Sequence, residues 1–142
     1  MSKASRLEPL ADHAGLIEAD AARRLAASVH TLKVQEAELE SLRSYLAEYR
    51  QHAEDEQQTT DSGRWQNLRH FLAKLSDAVA FKEAELQQSI EKYRLDADRW
   101  RDSHKRAQTL DKVVERSNRD ELHARRQREQ AELDEQAARR PR

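Results

Sequence analysis

Leucine recurs every seven residues at Leu25, Leu32, Leu39 and Leu46, and Ser28, Gln35, Leu42 and Tyr49 follow three positions after each. Alternating steps of three and four place these positions on one helix face, so the spacing predicts a coiled-coil seam that is imperfect at its N-terminal end. A second run follows the same rule through Leu68, Phe71, Leu72, Leu75, Val79, Leu86, Ile90, Tyr93, Ala97, Trp100, His104 and Ala107. Its four-four step at Lys82, Leu86 and Ile90 reads as a stutter. Beyond Val113 and Val114 the stripe fades to Leu122 and Leu133, and the tail from Glu115 is polar on nearly every side. Between the two runs, Glu54 to Gly63 carries no periodic apolar residue, and Asp61 or Ser62 is placed to cap the helix that follows.

Glycine and proline punctuate this pattern sparingly. Leu16 to Ser62 and Arg64 to Arg140 contain neither, and both are rich in strong helix formers. The expected fold is therefore all-α: a long antiparallel two-helix coiled-coil hairpin with an overhanging C-terminal helical arm. The expected organisation is an N-terminal segment and helix start (1–15), helix 1 (16–55) and a tip turn (56–63), then a paired helix 2 (64–114) and a polar, basic-biased arm (115–142). Pro9 and Gly15 set the start of the first helix between Pro9 and Glu18, with an end near His52 or Asp55. A helix of roughly 40 residues spans about 60 Å. Folding about position 60 sets residue i beside 120 − i, so that Gly15 meets roughly Lys105 and everything after about Leu110 lacks a partner within the chain.

Composition narrows the possibilities further. The 142 residues are 37% charged and 37% hydrophobic with mean hydropathy −1.10, too polar to surround a core thicker than a seam. Residues 1–62 hold 7 Lys/Arg against 12 Asp/Glu, whereas residues 63–142 hold 19 against 15, and opposite signs on the two arms favour the antiparallel register. The absence of cysteine removes disulfides and thiolate chemistry and fits a reducing, cytoplasmic setting. The start has no apolar stretch like a signal peptide, and no run approaches the ~20 apolar residues of a membrane span, so membrane association is expected only peripherally and through partners.

Candidate chemistry is sparse. The six histidines are dispersed without metal-ligand spacing, no glycine-rich phosphate loop exists, and no catalytic set is one that two helices could hold, so no enzyme, cofactor or metal is expected. Arg125-Arg126-Gln127-Arg128 and Arg139-Arg140-Pro141-Arg142 suit phosphates, but Glu121, Glu129, Glu132, Asp134 and Glu135 share the stretch and no aromatic is there to stack on bases. Nucleic acid is therefore not the expected partner; a solvated helix, or one entering an acidic protein socket, is. Tyr45, Tyr49, Trp65, Phe71 and Phe81 crowd the end near the turn, either closing the hairpin tip or forming an anchor patch for a partner.

Three segments carry a family resemblance: the opening Arg6-Leu7-Glu8-Pro9-Leu10, the stretch Leu42-Arg43-Ser44-Tyr45-Leu46-Ala47-Glu48-Tyr49-Arg50, and the run from Gly63 through Trp65 and Phe71 to Leu75. The most specific element is Tyr45-x-x-x-Tyr49-Arg50 followed by Trp65 and then Phe71-Leu72. With these the sequence resembles the FliJ family of flagellar type III export proteins over nearly its whole length. The resemblance implies a non-enzymatic antiparallel coiled coil, shaped like the γ stalk of rotary ATPases. It implies binding to the hexameric export ATPase FliI, contact with the cytoplasmic domain of the export gate protein FlhA, and handover of export chaperones.

Under that resemblance the gate-binding surface maps onto Glu38, Leu42, Tyr45, Tyr49, Phe71, Leu75, Ala78 and Lys82. A fold about position 60 brings 38/82, 42/78, 45/75 and 49/71 together as one band. Glu38 and Lys82 depart from the family pattern, which tends to an amide and a histidine there. The resemblance further implies that the terminal end meets the ATPase, through Leu10, Ile17, Leu110, Val113, Val114, Arg125 and Arg126. Alternative readings are a self-associating structural coiled coil, the equivalent stalk protein of an injectisome, and an RNA-binding helical hairpin.

Overall fold

The computed structural model describes residues 2–56 and 62–140, which form two helices, α1 (Lys3–Glu56) and α2 (Ser62–Arg139). The centre of the expected tip turn, including Thr59 and the candidate cap Asp61, lies outside the described residues, and Ser62 and Gly63 already belong to α2. The two helices pack against each other as an antiparallel coiled coil. They divide into two units, Arg23–Asp98 and a second made of Met1–Ala22 with Arg99–Arg142.

In the unit Arg23–Asp98, the α1 positions with buried or half-buried side chains include 25, 28, 32, 35, 39, 42, 46, 49, 53 and 56, the heptad expected from the leucines. Leu39, Leu46 and Val79 form the buried core, with Leu42, Leu72, Leu75 and Leu86 packed against it. On α2 the ladder runs 72, 75, 79, 82, 86, 89, 93 and 96 in unbroken steps of three and four, so the expected stutter is absent. Apolarity misleads there. Asp96 is buried at 4% exposure while its neighbour Ala97 is only half-buried, and Ser89 rather than Ile90 bonds across to α1.

These polar seam residues are satisfied in pairs. The Ser28 hydroxyl, itself buried, donates to Asp96 Oδ2 across the seam, and Lys92 Nζ donates to Asp96 Oδ2 at 3.3 Å from an exposed position on α2. One layer nearer the tip, the Ser89 hydroxyl donates to Gln35 Oε1, and Gln35 Nε2 donates to Glu85 Oε1 at 3.2 Å. A buried, paired carboxylate contributes less to stability than an apolar side chain of similar volume, while restricting the registers the helices can adopt. Replacing both buried partners, Ser28→Ala with Asp96→Leu, is accordingly expected to raise the thermal midpoint, by about 1–4 kcal/mol in stability. An unchanged or lowered midpoint in a calorimetric scan would contradict that account of the layer.

In the unit of Met1–Ala22 and Arg99–Arg142 the seam is built largely from alanine: Ala4, Ala11 and Ala14 on α1 and Ala107 on α2 are buried. Here the structure departs from the sequence reading. Helix α1 begins at Lys3, with Pro9 and Gly15 inside it. Its start is fixed by Ser2, whose Oγ accepts from the Ser5 backbone N–H at 3.1 Å, the geometry of an N-cap. The Ala4 N–H donates to Glu121 Oε1 at 3.4 Å, so a carboxylate from α2 serves a second unpaired amide of the first turn. Proline in a helix interior costs about 3 kcal/mol, and packing of the alanine seam on both sides of Pro9 offsets it.

The intrachain pairing therefore reaches Glu121 rather than ending near Leu110. Val114 is half-buried and Ser117 is 8% exposed, and from Leu122 onward every described residue is exposed. Glu18 Oε1 lies 2.6 Å from His104 Nδ1, within hydrogen-bond distance, and the His104 ring stacks on Trp100 at 4.9 Å. Neither helix is long and apolar enough to cross a membrane among the described residues.

Candidate partner-binding faces

All eight residues of the expected gate band belong to the unit Arg23–Asp98, and the structure divides them into a seam set and a surface set. Leu42 and Leu75 pack against the Leu39–Leu46–Val79 core and brace the band from beneath. Tyr49 sits half-buried at a seam position, with its ring centroid 4.9 Å from that of Phe71 on α2 and 4.9 Å from that of Tyr45 one turn back on α1. Tyr45 and Phe71 remain 47% and 41% exposed, respectively, and Ala78 is exposed. The three rings thus form one ladder crossing from α1 to α2, tilted at 42° and 55° in the geometry aromatic quadrupoles favour.

The edge of the band is ionic. Lys82 Nζ lies 3.1 Å from Glu38 Oε2 and 3.4 Å from Glu85 Oε2. The hydrogen bond to Glu38, followed by the charges of Glu38 and Glu85, raises the Lys82 ammonium above its usual range. A raised lysine keeps its pairing throughout the range below the ordinary lysine pKa and loses it only as pH rises through the raised value, so the edge is closed at any neutral pH. The Tyr49 phenol is also pushed up, first by its hydrogen bond with Tyr45 and then by its electrostatic interaction with that neighbour, so the Tyr49 hydroxyl stays neutral at physiological pH. One residue outside the expected band belongs beside it: Phe81, 69% exposed, lies three residues after Ala78 and hence on the adjoining strip of α2. The sequence signal was present, since Phe81 falls off the seam spacing.

The residues expected at the ATPase separate in the same way within the other unit. Leu110 and Val114 are half-buried on the seam ladder and serve the pairing of the helices. Leu10, Ile17 and Val113 are 53%, 46% and 36% exposed. The register that sets Glu18 against His104 and Ala4 against Glu121 brings Leu10 level with Val113, leaving an uncovered apolar flank. Arg125 and Arg126 are exposed on α2 beyond the last pairing contact. No group of three or more His, Asp or Glu among the described residues is placed to hold a metal ion.

The family model described as Flagellar FliJ protein matches residues 2–142. This chain belongs to the FliJ family. It is therefore a component of the flagellar export apparatus, in a family without enzymatic activity. No curated protein matches the chain. In this FliJ-family chain the Tyr45–Tyr49–Phe71 ladder gives the Tyr45-x-x-x-Tyr49 spacing a structural meaning: the tyrosine spacing of four stacks one ring on the next, and the second ring reaches α2.

Proposed function

We propose that this FliJ-family chain acts as a stalk-like adaptor, engaging the export gate through the aromatic band and the hexameric export ATPase through its terminal end, and assisting delivery of chaperones and their cargo. The observation that supports this most is the incomplete burial of the aromatic ladder. Side chains that only closed the helix pair would be covered by it, whereas Tyr45 and Phe71 keep nearly half their surface open on a rigid, braced support. Such an arrangement suits an anchor for a partner, because the side-chain ordering cost is met before binding.

At the other end, the reading rests on the uncovered flank of Leu10, Ile17 and Val113 and on the single helix beyond Glu121. A lone polar helix of about 20 residues is marginal in water and gains order by docking. Removal of residues 122–142 is expected to weaken ATPase binding at least tenfold while leaving gate binding unchanged, measured separately by isothermal titration. Unchanged ATPase binding would reverse or dismiss the assignment of the ends.

A further inference from the structure

One strongly charged surface lies largely outside these contacts and shares only Arg126 with the residues expected at the ATPase. On α2, Lys105, Lys112, Arg119 and Arg126 recur at intervals of seven, and Arg116 stands between the second and third. All five are exposed. The seam of this unit runs through 107, 110, 114, 117 and 121, so the basic positions lie on the opposite side of α2, pointing away from α1 and its carboxylates. No ion pair joins any of the five to a carboxylate among the described residues. Asp102, Glu115 and Asp120 border the row, leaving the five basic side chains in excess. Lys112, Arg116 and Arg119 also line one shallow depression together with Thr109, Glu115 and Val113.

We propose that this face docks on an anionic phospholipid surface, without insertion. A straight row of basic side chains about 32 Å long can meet a charged plane all at once. The row carries no aromatic ring on which a base can stack, and its apolar neighbour Val113 lies to one side of it rather than at its centre. Each basic side chain near an anionic bilayer strengthens binding about fivefold, in a salt-sensitive manner. The inference stands independently of the adaptor reading, because it concerns the protein and lipid alone.

The test is cosedimentation of the full chain with vesicles of phosphatidylglycerol and phosphatidylethanolamine, and with vesicles of phosphatidylcholine alone. Binding to the anionic vesicles only, abolished by high salt, is expected. The triple variant Lys112→Ala, Arg116→Ala, Arg119→Ala should lose at least about tenfold in affinity with helicity retained, since all three side chains are exposed. Arg50→Ala, Arg69→Ala, Lys74→Ala, which removes the same charge elsewhere, should keep it. Arg116→Lys with Arg119→Lys should also bind normally, as a point-charge interaction requires. Equal binding to phosphatidylcholine, equal loss in both triple variants, or displacement from the anionic vesicles by RNA at lower concentration than by free lipid would each overturn the proposal.

Discussion

Leu39→Ala is expected to cost about 2–5 kcal/mol and to lower the thermal midpoint by several degrees, the largest stability effect of any single truncation in the chain. Leu39 is 2% exposed, the most deeply buried large side chain among the described residues, and it occupies the centre of the small cluster with Leu46 and Val79. A seam only two side chains deep has no second layer to relax into the space left behind, so the cavity cost adds to the lost transfer energy. Leu133→Ala provides the contrast: Leu133 is 60% exposed on the unpaired part of α2, and its truncation should leave the midpoint nearly unchanged. Circular dichroism melts of both variants decide the point. A Leu39→Ala midpoint within a degree of wild type would mean that the seam around this cluster does not hold Arg23–Asp98 together.

The parts of this fold that were legible in the sequence are those where seam positions are large and apolar. Leu25, Leu32, Leu39 and Leu46 announce the α1 face, and a fold about position 60 correctly pairs 49 with 71 and 38 with 82. The pattern becomes unreadable where the seam turns small or polar. Ala4, Ala11 and Ala14 carry too little apolar signal to outweigh Pro9 and Gly15 as apparent breakers, so the first turns of α1 were missed and the overhang of α2 overestimated. A cue did exist in Ser2, whose cap sits three residues before Ser5. On α2, Asp96 and Ser89 hold seam positions while Ala97 and Ile90 flank them, and an apolar count prefers the flanks, creating a stutter where the spacing is regular. Among candidate site residues, the same ambiguity assigned Leu110 and Val114 outward roles, although they sit on the seam ladder.

The second large effect is expected at the aromatic band. Phe71→Ala removes the α2 end of the ring ladder and a side chain 41% exposed, and Tyr45→Ala removes the α1 end, 47% exposed. Neither belongs to the Leu39–Leu46–Val79 core, so both variants should remain fully helical. Aromatic anchors at the centre of an interface commonly contribute about 2 kcal/mol or more, corresponding to roughly a thirtyfold loss of affinity on truncation. Glu38→Gln alters only the exposed ionic edge and should change affinity by no more than about threefold.

The most direct measurement is therefore binding of the purified chain to the cytoplasmic domain of the cognate export gate protein by titration calorimetry, for wild type, Tyr45→Ala, Phe71→Ala and Glu38→Gln, with helicity recorded for each. Loss of binding in the two aromatic variants with helicity intact, and near-normal binding by Glu38→Gln, is the predicted result. Wild-type affinity in both aromatic variants, or a loss that appears only together with melting, would contradict the adaptor account and leave those rings as closure for the helix pair.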